Sequence, residues 1–305
     1  MPREEFLVTP ESGAGARLDV FLAAHVAGLT RSQAGKAADE GRALVNDVPK
    51  KPGAILRPGD RVVLTRPEAP PAGLEPQDIP LKVLYRDDDL IVLDKPFGLV
   101  VHPGAGVRSG TLVNALLHAF PEVIWVGEGD RPGIVHRLDM ETSGVMVVAR
   151  SPRAYESLKG QFKDRRVKKV YRALVWGRMP GPEGRIDAPI GRHPRHGQRM
   201  SVRTRKPRAA ETLFTVLEEF RQTTLLEVRP LTGRTHQIRV HLAAAGHPLV
   251  GDTRYGRKRG GKRYPRLFLH ACRLSFAHPA TGAVVEFASP LPPDLEAVLQ
   301  TEREP

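Results

Sequence analysis

Cysteine is almost absent from this chain, since Cys272 is the only one among 305 residues. A single thiol cannot form an internal disulfide, and it cannot build a thiolate cage around a metal ion. Long apolar runs are also lacking, so no segment reaches the roughly 20 apolar residues that a membrane-spanning helix needs. Residues 1–10 lack the apolar core of a signal peptide. We therefore expect a cytoplasmic protein that has no disulfide and does not contact membranes.

Acidic residues are scarce relative to basic ones, with 34 Asp and Glu against 47 Lys and Arg. The formal net charge of +13, with neutral histidines, is spread along the chain rather than concentrated in one tail. Such an excess favours a polyanionic partner, because basic side chains that contact phosphates release the counterions bound there. A soluble protein that uses charge only to stay dispersed would show the same balance. The hydrophobic fraction of 40% is enough to bury a core and argues against general disorder.

Residues 15–66 predict a small domain with two helices followed by short strands. Apolar residues recur at helical spacing over 18–27. Thr30 and Gln33 have the form of a capping box that opens a second helix. Turn residues and the apolar run at 61–65 then indicate short strands. A module of about fifty residues is too small for elaborate chemistry and suits a binding role.

Five basic residues of this module are the candidates to contact a polyanion: Arg31, Lys36, Arg42, Lys50 and Lys51. Each one alone fits an ordinary solvated surface. Their setting in the pattern TRSQA, followed by GRALVN, resembles the S4 RNA-binding domain, a module shared by ribosomal proteins and RNA-modifying enzymes. The resemblance covers the whole module and implies that it binds RNA.

A proline-rich segment separates this module from the rest of the chain. Residues 67–80 contain five prolines and predict a semi-rigid linker. Residues 81–300 mix helix and strand patterns, which indicates a second, larger domain of the α+β class. Several segments alternate apolar with polar residues, so we expect a largely antiparallel sheet. Strands are predicted at 90–93, 145–149, 224–229 and 284–288, and helices at 111–120 and from the N-cap Ser151 onward.

Several polar clusters could suggest a metal or phosphate site, but their spacing does not support one. The three carboxylates at 87–89 precede a strand and predict a solvated turn. The glycines of 104–110 lack the strand, helix and acidic residue of a dinucleotide site. His236 and His241 are five positions apart, which fits no helical zinc pair. We therefore expect neither a metal ion nor a cofactor.

Two other polar segments are candidates for chemistry. Residues 133–144 place Asp139 between an arginine and hydroxyl residues, ahead of an apolar strand. The carboxylate could cap backbone amides in a turn, or it could act on a substrate. Residues 231–242 alternate apolar residues with arginine and histidine, which predicts a strand with one polar face. An arginine directed inward needs a carboxylate partner, and we expect Asp139 to be that partner.

Two basic segments add features of RNA binding. Residues 168–174 place Tyr171 in a basic strand. Its ring could stack on a base while neighbouring lysines contact phosphate, or it could be an ordinary tyrosine at a sheet surface. The glycine-interrupted run 257–263 could bind phosphate as a group, although each charge alone fits a solvated loop.

Taken in chain order, these segments match one family. HRLDxxTSG at 136–144, KxYxAL at 169–174 and GRTHQIRxH at 233–241 resemble the signature set of the large-subunit, RluA-type pseudouridine synthases. The resemblance runs from the S4-like module to Pro292. Further segments are similar to the D-type members: 75–81, 100–106, 114–118 and 247–252. The implied fold is a central mixed, mostly antiparallel sheet flanked by helices and loops, preceded by the S4-like domain.

The resemblance implies a role for each motif residue. By this likeness, Asp139 is the catalytic aspartate, Tyr171 stacks on the target uracil and Arg239 pairs with the aspartate. Arg137 helps to fill the space that the flipped nucleotide leaves, and His136 belongs to the same substrate-binding set. We expect four further residues of these motifs to contact RNA: Lys168, Lys169, Arg234 and His236.

The implied reaction breaks the C1′–N1 bond of uridine, turns the base and joins C1′ to C5, so it needs no cofactor. Asp139 would act either as the nucleophile at C1′ or as the base for the 2′ proton. Tyr171 is also a candidate to accept the C5 proton. Met140 and Glu141 stand where Lys and Asp are common in the family, and we expect this change to leave these roles intact.

The D-type resemblance implies a target in 23S ribosomal RNA, in the stem-loop that contacts the small subunit, either free or within assembling large subunits. The family also suggests a monomer. Relatives with nearly the same signatures modify other ribosomal or transfer RNA sites. Two further classes are a non-catalytic RNA-binding or ribosome-assembly factor on the same scaffold, and a hydrolase acting on a nucleoside or sugar. The latter chemistry usually needs a pair of acids.

Overall fold

The computed structural model describes residues 3–26, 29, 31–65, 74–104, 106–127, 131–197, 199–256 and 264–304, without the side chains of residues 32 and 33. Three features predicted above lie wholly or partly outside the described residues: the capping box at Thr30 and Gln33, the linker residues 67–73 and the basic run 257–263. The chain divides into an N-terminal unit, Met1–Ala72, and a C-terminal unit, Gly73–Pro305.

The N-terminal unit contains two helices and four short strands. Its elements are β1 (Arg3–Leu7), α1 (Leu18–His25), α2 (Arg31–Asp39), β2 (Ala43–Val45), β3 (Val48–Pro49) and β4 (Arg61–Thr65). The strands form an antiparallel sheet in the order β1-β4-β2-β3. Asn46 and Asp47, between β2 and β3, both have positive φ, as the tightest hairpin turns require. The predicted helices and following strands are confirmed, whereas β1 was not predicted.

The C-terminal unit is built on one large sheet. Its elements are β5 (Lys82–Arg86), β6 (Leu90–Lys95), α3 (Leu112–Ala119), a 3-10 helix (Pro121–Trp125), β7 (Ser143–Ala149), α4 (Pro152–Lys163), β8 (Lys168–Trp176), β9 (Glu183–Asp187), β10 (Gly191–Arg192), β11 (Met200–Ser201), β12 (Glu211–Glu219), β13 (Thr223–Pro230), α5 (Gln237–Ala244), β14 (Leu269–Ala277), β15 (Val284–Ala288) and α6 (Pro293–Arg303). The sheet order is β5-β6-β7-β14-β8-β13-β12-β9, with β15 paired to β14. Within it, β7 and β14 run parallel, and the other described strand pairs run antiparallel. The expected mixed, mostly antiparallel sheet is confirmed.

Two helices of this unit begin where local sequence signals place them. The Thr111 side chain caps α3 by accepting from the Asn114 N–H, and the Asn114 side chain accepts from the Thr111 N–H in return. The Ser151 Oγ accepts from the Ala154 N–H at 3.0 Å, so the predicted N-cap of α4 is confirmed. Both caps satisfy amides that the first helical turn leaves without an internal partner.

The strand predicted within residues 231–242 is wrong, because residues 237–244 form helix α5. The six residues from Gln237 to Leu242 are all buried, including Arg239 and His241. A helix that is covered on every side has no solvent face, so its polar positions follow their protein partners rather than a helical period. The apolar–polar alternation that indicated a strand therefore has no structural meaning here.

The predicted turn at 87–89 is confirmed, but one of its carboxylates is not solvated. Asp87 Oδ1 accepts from the backbone N–H groups of Asp89 and Leu90 at 2.8 and 2.7 Å. Asp89 itself is 6% exposed. Its carboxylate accepts from Ser151 Oγ and pairs with Arg153. The turn therefore links the start of β6 to the N-terminus of α4.

Candidate active site

A cavity of about 470 Å³ lies in the C-terminal unit where the three sequence motifs meet. Its walls come from segments 135–142 before β7, 162–171 across the end of α4 and the start of β8, 230–239 between β13 and α5, and from Leu269 of β14. Pockets that bind small molecules span roughly 300–1,000 Å³. The cavity is therefore large enough to hold one nucleoside.

The backbone around Asp139 is held on both sides. The Asp139 carbonyl accepts from the Thr142 N–H at 3.0 Å, and the Met140 carbonyl accepts from the Gly98 N–H at 2.8 Å. Lys95 is fully buried and directs its ammonium at the Met140 carbonyl, 3.4 Å away, as well as at two carbonyls of its own turn. Burial lowers the pKa of Lys95 to about 7, against the opposing effect of the Asp139 charge.

Gly144 allows β7 to pass close to β14 immediately after this loop. Its φ of 121° lies in a region that only glycine adopts readily. A Cβ at this position would lie 2.3 Å from the Ala271 carbonyl oxygen. The parallel pairing of β7 with β14 begins here, with Gly144 opposite Ala271. The glycine of the HRLDxxTSG motif thus lies where residues 135–142, called the Asp139 loop below, join the sheet at the start of β7.

The Asp139 carboxylate faces the cavity and is 18% exposed. Its Oδ2 lies 3.9 Å from His236 Nε2. Within the described ranges, no backbone amide donates a hydrogen bond to this carboxylate, so the capping interpretation gains no support. The Asp139 charge instead acts on side chains around the cavity, where it contributes to the pKa shifts of Lys95, Tyr171 and His236.

Arg239 does not make the expected direct pair with Asp139. Its Nε and Nη2 donate to the two oxygens of Asp252 at 2.8 and 2.9 Å, and its Nη1 lies 2.7 Å from Glu141 Oε2. Burial alone would lower the pKa of Arg239, but Asp252, with Glu141 and Asp139, raises it. Two carboxylates already neutralise this guanidinium, which is 1% exposed. Glu141, expected to be without consequence, is therefore one of its partners.

His236 precedes α5 in a left-handed conformation, with φ 55°. Its Nδ1 lies 2.7 Å from Tyr255 Oη, which accepts from the Met200 N–H at 3.0 Å. A phenol that accepts from an amide can donate its own hydrogen to Nδ1, which leaves the Nε2–H directed at Asp139. Burial lowers the pKa of His236 despite the Asp139 charge. The structure thus places this predicted RNA contact inside the cavity.

Tyr171 and Lys169 lie two positions apart on β8 and line the same cavity. Lys168, the first residue of β8, is exposed. Burial, followed by the Asp139 charge, raises the pKa of Tyr171, so the phenol stays protonated at neutral pH. Lys169 Nζ donates to the Thr232 carbonyl at 3.2 Å, and burial lowers its pKa to about 8.

His136 and Arg137 occupy different settings although they are adjacent. His136 Nε2 accepts from the Val147 N–H at 3.0 Å, and its ring stacks on Phe162 with centroids 4.5 Å apart. Burial lowers the pKa of His136 to about 3, so the ring is neutral. Arg137 is exposed, and its Nη1 lies 3.1 Å from His102 Nε2. His136 is thus fixed in the wall, while Arg137 reaches outward.

Arg234 also lines the cavity, and its Nε donates to the Ala209 carbonyl at 3.0 Å. Burial lowers the pKa of Arg234, and the neighbouring charges of Arg208 and Arg165 lower it further. Arg165 lines the same cavity. Among the described residues, none of these three arginines has a carboxylate within ion-pair distance, and such a group of like charges suits a polyanion, which agrees with the RNA contact expected for Arg234.

The cations predicted to bind RNA in the N-terminal unit are partly paired with acids. Three pairs are present: Arg31 with Asp19, Arg42 with Glu40, and Lys51 with Asp39. Lys36 lies on α2, and Lys50 is exposed. Only the Lys51–Asp39 pair is exposed on both sides, and such a pair contributes little to stability, so it leaves Lys51 available to phosphate. Arg31 pairs with a buried carboxylate, and the Arg42 and Glu40 side chains are both half-buried. The cavity itself is built by the C-terminal unit alone.

Sequence reasoning missed five residues that hold the site together: Lys95, His102, Glu141, Asp252 and Tyr255. Asp252 lies in the segment 247–252 that resembles D-type members, which was the one available signal for it. His102 lies in the similar segment 100–106, and Glu141 lies within the HRLDxxTSG motif, where we expected its identity to have little effect. Lys95 and Tyr255 carry no local pattern, because each acts on a segment far away along the chain. In the described part of the chain, no group of three or more His, Cys, Asp or Glu could hold a metal ion. No described helix has both the length and the apolar character to cross a bilayer.

Family models match both units of the chain. A model described as RNA pseudouridylate synthase matches residues 89–244, and a model described as S4 domain matches residues 16–62. The first match includes the HRLDxxTSG and KxYxAL motifs and the whole of GRTHQIRxH. It therefore covers the segments that form the cavity walls, apart from Leu269.

Individual proteins are similar over nearly the full length. The ribosomal large subunit pseudouridine synthase D of Xanthomonas campestris is 43% identical over 312 residues, which cover 97% of this chain and 92% of that protein. An RNA pseudouridine synthase of Chloroflexus aurantiacus is 46% identical over 297 residues, with 97% and 93% covered. The solved structure of human RNA pseudouridylate synthase domain containing 1 is similar with a TM-score of 0.59 at 30% identity, covering 79% of this chain and 98% of that one.

Proposed function

This chain belongs to the RNA pseudouridylate synthase family, and we propose that it converts uridines of 23S ribosomal RNA to pseudouridine with Asp139 as its catalytic carboxylate. The observation that carries the role of Asp139 is the meeting of three distant motifs at one cavity, which the Asp139 side chain faces. The choice of RNA is supported by the relatives named ribosomal large subunit pseudouridine synthase D.

The target uridine has to leave its stack to enter the cavity. Flipping a base costs a few kcal/mol and costs least in loops. Stacking on an aromatic ring recovers about 1–3 kcal/mol per base. Tyr171 lines the cavity with its ring half-buried, in the position for that contact. Arg137, at the exposed edge of the Asp139 loop, has the reach to take the place of the flipped base.

Once the nucleoside is bound, Asp139 acts at the ribose. Attack of its carboxylate on C1′ gives a covalent ester, and removal of the 2′ proton gives a glycal; both routes release the uracil from C1′. The uracil then turns and C5 bonds to C1′. In the first route the ester bond to Asp139 breaks in this step, and in the second route Asp139 returns its proton to C2′. The C5 proton then leaves and N1 takes up a proton, which regenerates the Asp139 carboxylate and gives pseudouridine. His236 Nε2 lies 3.9 Å from Oδ2, beyond hydrogen-bond distance, so a shift of about 1 Å on substrate binding would bring its N–H into contact with the carboxylate.

Arg239 supports the site through its ion pairs and does not act on the nucleoside. Its ion pairs join α5 to Asp252 and to Glu141, two positions after Asp139. A guanidinium that is 1% exposed and doubly paired has little freedom to move. We assign it the role of holding the Asp139 loop against α5.

The test is pseudouridine mapping on an unmodified 23S ribosomal RNA transcript, incubated without added cofactor. The wild type should convert specific uridines, and Asp139→Asn should convert none while its RNA affinity stays within a few-fold. Asp78→Asn is the matched control, because Asp78 undergoes the same chemical change at a side chain that is 88% exposed. Circular dichroism of all three proteins verifies folding.

Each outcome bears on a different part of the proposal. Conversion by Asp139→Asn at the wild-type rate would show that Asp139 is not the catalytic residue. Conversion of transfer RNA but not of 23S RNA by the wild type would change the substrate and keep the enzyme class. Binding without conversion of any of these RNAs, including assembling large subunits, would favour the RNA-binding factor.

A further inference from the structure

Lys169 presents a partly buried ammonium to the cavity without a carboxylate to balance it. Its only described hydrogen bond runs from Nζ to the Thr232 carbonyl, at 3.2 Å. No carboxylate of the described residues lies within ion-pair distance of Nζ. Burying a charge without an opposite charge beside it, even partly, costs free energy. A cation kept in such a place suits a ligand that carries, or acquires, negative charge.

The position of Lys169 relative to Tyr171 indicates what that ligand is. Side chains two positions apart on a strand point to the same face, about 7 Å apart along the strand. Both residues line the cavity, whereas Lys168 is exposed. A uracil stacked on Tyr171 would therefore have its edge, with the carbonyl oxygens, within reach of the flexible Lys169 side chain.

The chemistry of the proposed function creates negative charge on that uracil, and the inference rests on that function. When the C1′–N1 bond breaks, its electron pair leaves with the base. Asp139 loses its own charge in the same step, because it either forms an ester with C1′ or takes the 2′ proton. One negative charge has then moved from the Asp139 carboxylate to the detached uracil, and no proton or electron is left unaccounted for.

We propose that the Lys169 ammonium is a catalytic residue that stabilises the detached uracil anion by contact with a uracil carbonyl oxygen. Lys169 stays protonated throughout and transfers nothing. It accelerates the reaction because the charge it faces is larger in the transition state than in the bound uridine. This role differs from the phosphate contact that the sequence predicted for the same residue.

The other titratable groups around Lys169 have distinct pKa values. The pKa of His136 is lowered to about 3, that of His236 is lowered, and that of Tyr171 is raised, in each case chiefly by burial. Lys95, behind the Asp139 loop, has its pKa lowered to about 7. Burial lowers the pKa of Lys169 to about 8, so this lysine loses its charge in mildly alkaline solution.

Two substitutions separate this role from a structural one. Lys169→Gln keeps a donor for the Thr232 carbonyl but removes the charge, and Lys169→Arg keeps both. Single-turnover rates with saturating enzyme on the 23S transcript should fall about 100-fold for Lys169→Gln, the loss typical of one transition-state donor. RNA affinity should change less than threefold. Lys159→Gln is the matched control, since Lys159 lies on the exposed face of α4.

The pH profile supplies a readout that a structural lysine would not change. For the wild type, kcat/KM should decline above about pH 8 as Lys169 loses its proton. In Lys169→Arg this decline should disappear, because guanidinium remains protonated. Both proteins contain Lys95, so a decline in kcat/KM that Lys95 causes would also be seen in Lys169→Arg.

A transcript with 5-fluorouridine isolates the step. Fluorine replaces the hydrogen on C5 and cannot leave as a proton, so only glycosidic cleavage and rejoining are observed. Lys169→Gln should slow these steps as much as it slows the reaction on uridine. A defect confined to uridine would assign Lys169 to removal of the C5 proton and overturn the proposal.

Two other results would also overturn it. Full activity of Lys169→Gln would leave Lys169 with only its hydrogen bond to the Thr232 carbonyl. An alkaline decline that keeps its wild-type midpoint in Lys169→Arg would assign the decline to another group, such as Lys95, and contradict the role of the Lys169 charge. Both results require a wild type that makes pseudouridine. A wild type without activity would instead contradict the proposed function, so the two failures are distinguishable.

Discussion

Arg137 Nη1 lies 3.1 Å from His102 Nε2, and the Nδ1 of the same histidine lies 2.8 Å from the Pro103 carbonyl oxygen. A carbonyl only accepts hydrogen bonds, so the His102 proton resides on Nδ1 and Nε2 accepts from the guanidinium. His102 is 7% exposed, whereas Arg137 is open to solvent. A buried neutral histidine thus positions Arg137, the arginine that we propose to take the place of the flipped base.

Replacing His102 should reduce turnover through Arg137. His102→Leu removes the acceptor, and hydrogen bonds to charged groups contribute about 1.5–3 kcal/mol, so kcat/KM should fall roughly 10- to 100-fold. The double variant with Arg137→Ala should be no slower than Arg137→Ala alone, since the histidine would act through the arginine. Rates of pseudouridine formation on the 23S transcript measure all three. Losses that multiply would show that His102 acts independently.

Glu141 should matter for both stability and rate. Glu141→Gln removes one of the two carboxylates that balance the buried Arg239 guanidinium. We expect a loss of about 1–3 kcal/mol in the free energy of unfolding, together with a slower reaction because the Asp139 loop is less firmly held. Glu141→Asp, the residue common in the family, should restore much of both. Urea denaturation measures the loss of stability, and kcat measures the loss of rate. An unaffected kcat would show that Glu141 does not hold the Asp139 loop in its active position.

Asp252→Asn should be more destabilising than Glu141→Gln. Both oxygens of Asp252 bind Arg239, and the carboxylate side chain is fully buried. Breaking a buried ion pair by removing one partner costs about 3–5 kcal/mol. Asp187→Asn, at a carboxylate that is 63% exposed, is the matched control. Urea denaturation that ranks the two variants equally would contradict this account.

The same pair predicts a dependence on pH. Burial would raise the pKa of the Asp252 carboxyl, but Arg239 and two backbone amides hold it below its usual range. A carboxyl whose folded-state pKa is depressed stabilises the fold above its unfolded pKa of about 3.9 and loses that contribution as the pH falls. The difference in unfolding free energy between wild type and Asp252→Asn should therefore be constant above about pH 5 and narrow toward pH 3. A difference that widens in acid would refute the assignment.

Two glycines should respond to alanine in opposite directions. Gly144→Ala would place a Cβ 2.3 Å from the Ala271 carbonyl, so folding should be severely impaired and activity lost. Gly160 lies in α4 with no atom within 4 Å of the added Cβ. Gly160→Ala should raise the free energy of unfolding by about 0.5–1 kcal/mol. Thermal unfolding of both variants tests the comparison.

Local elements could be predicted because their signals lie within a few residues. Ser151 caps α4, and the turn at Asn46 and Asp47 joins β2 to β3, as the side chains and backbone preferences of those residues require. The likeness of three motifs also led to the family and to a common site for Asp139 and Tyr171. By contrast, α5 was predicted as a strand because its first six residues are buried on all sides and therefore show no helical period.

By itself, then, the sequence determined the two units, the family and the residues available for chemistry. Only the tertiary structure decided that Arg239 binds Asp252 and Glu141, that His236 faces Asp139, and that Lys169 lies in the cavity wall. The physical reason is that a partner for a buried charge is selected by distance in space. Several carboxylates compete for each cation, and the packing of β7, β8 and α5 settles which one comes within hydrogen-bond reach.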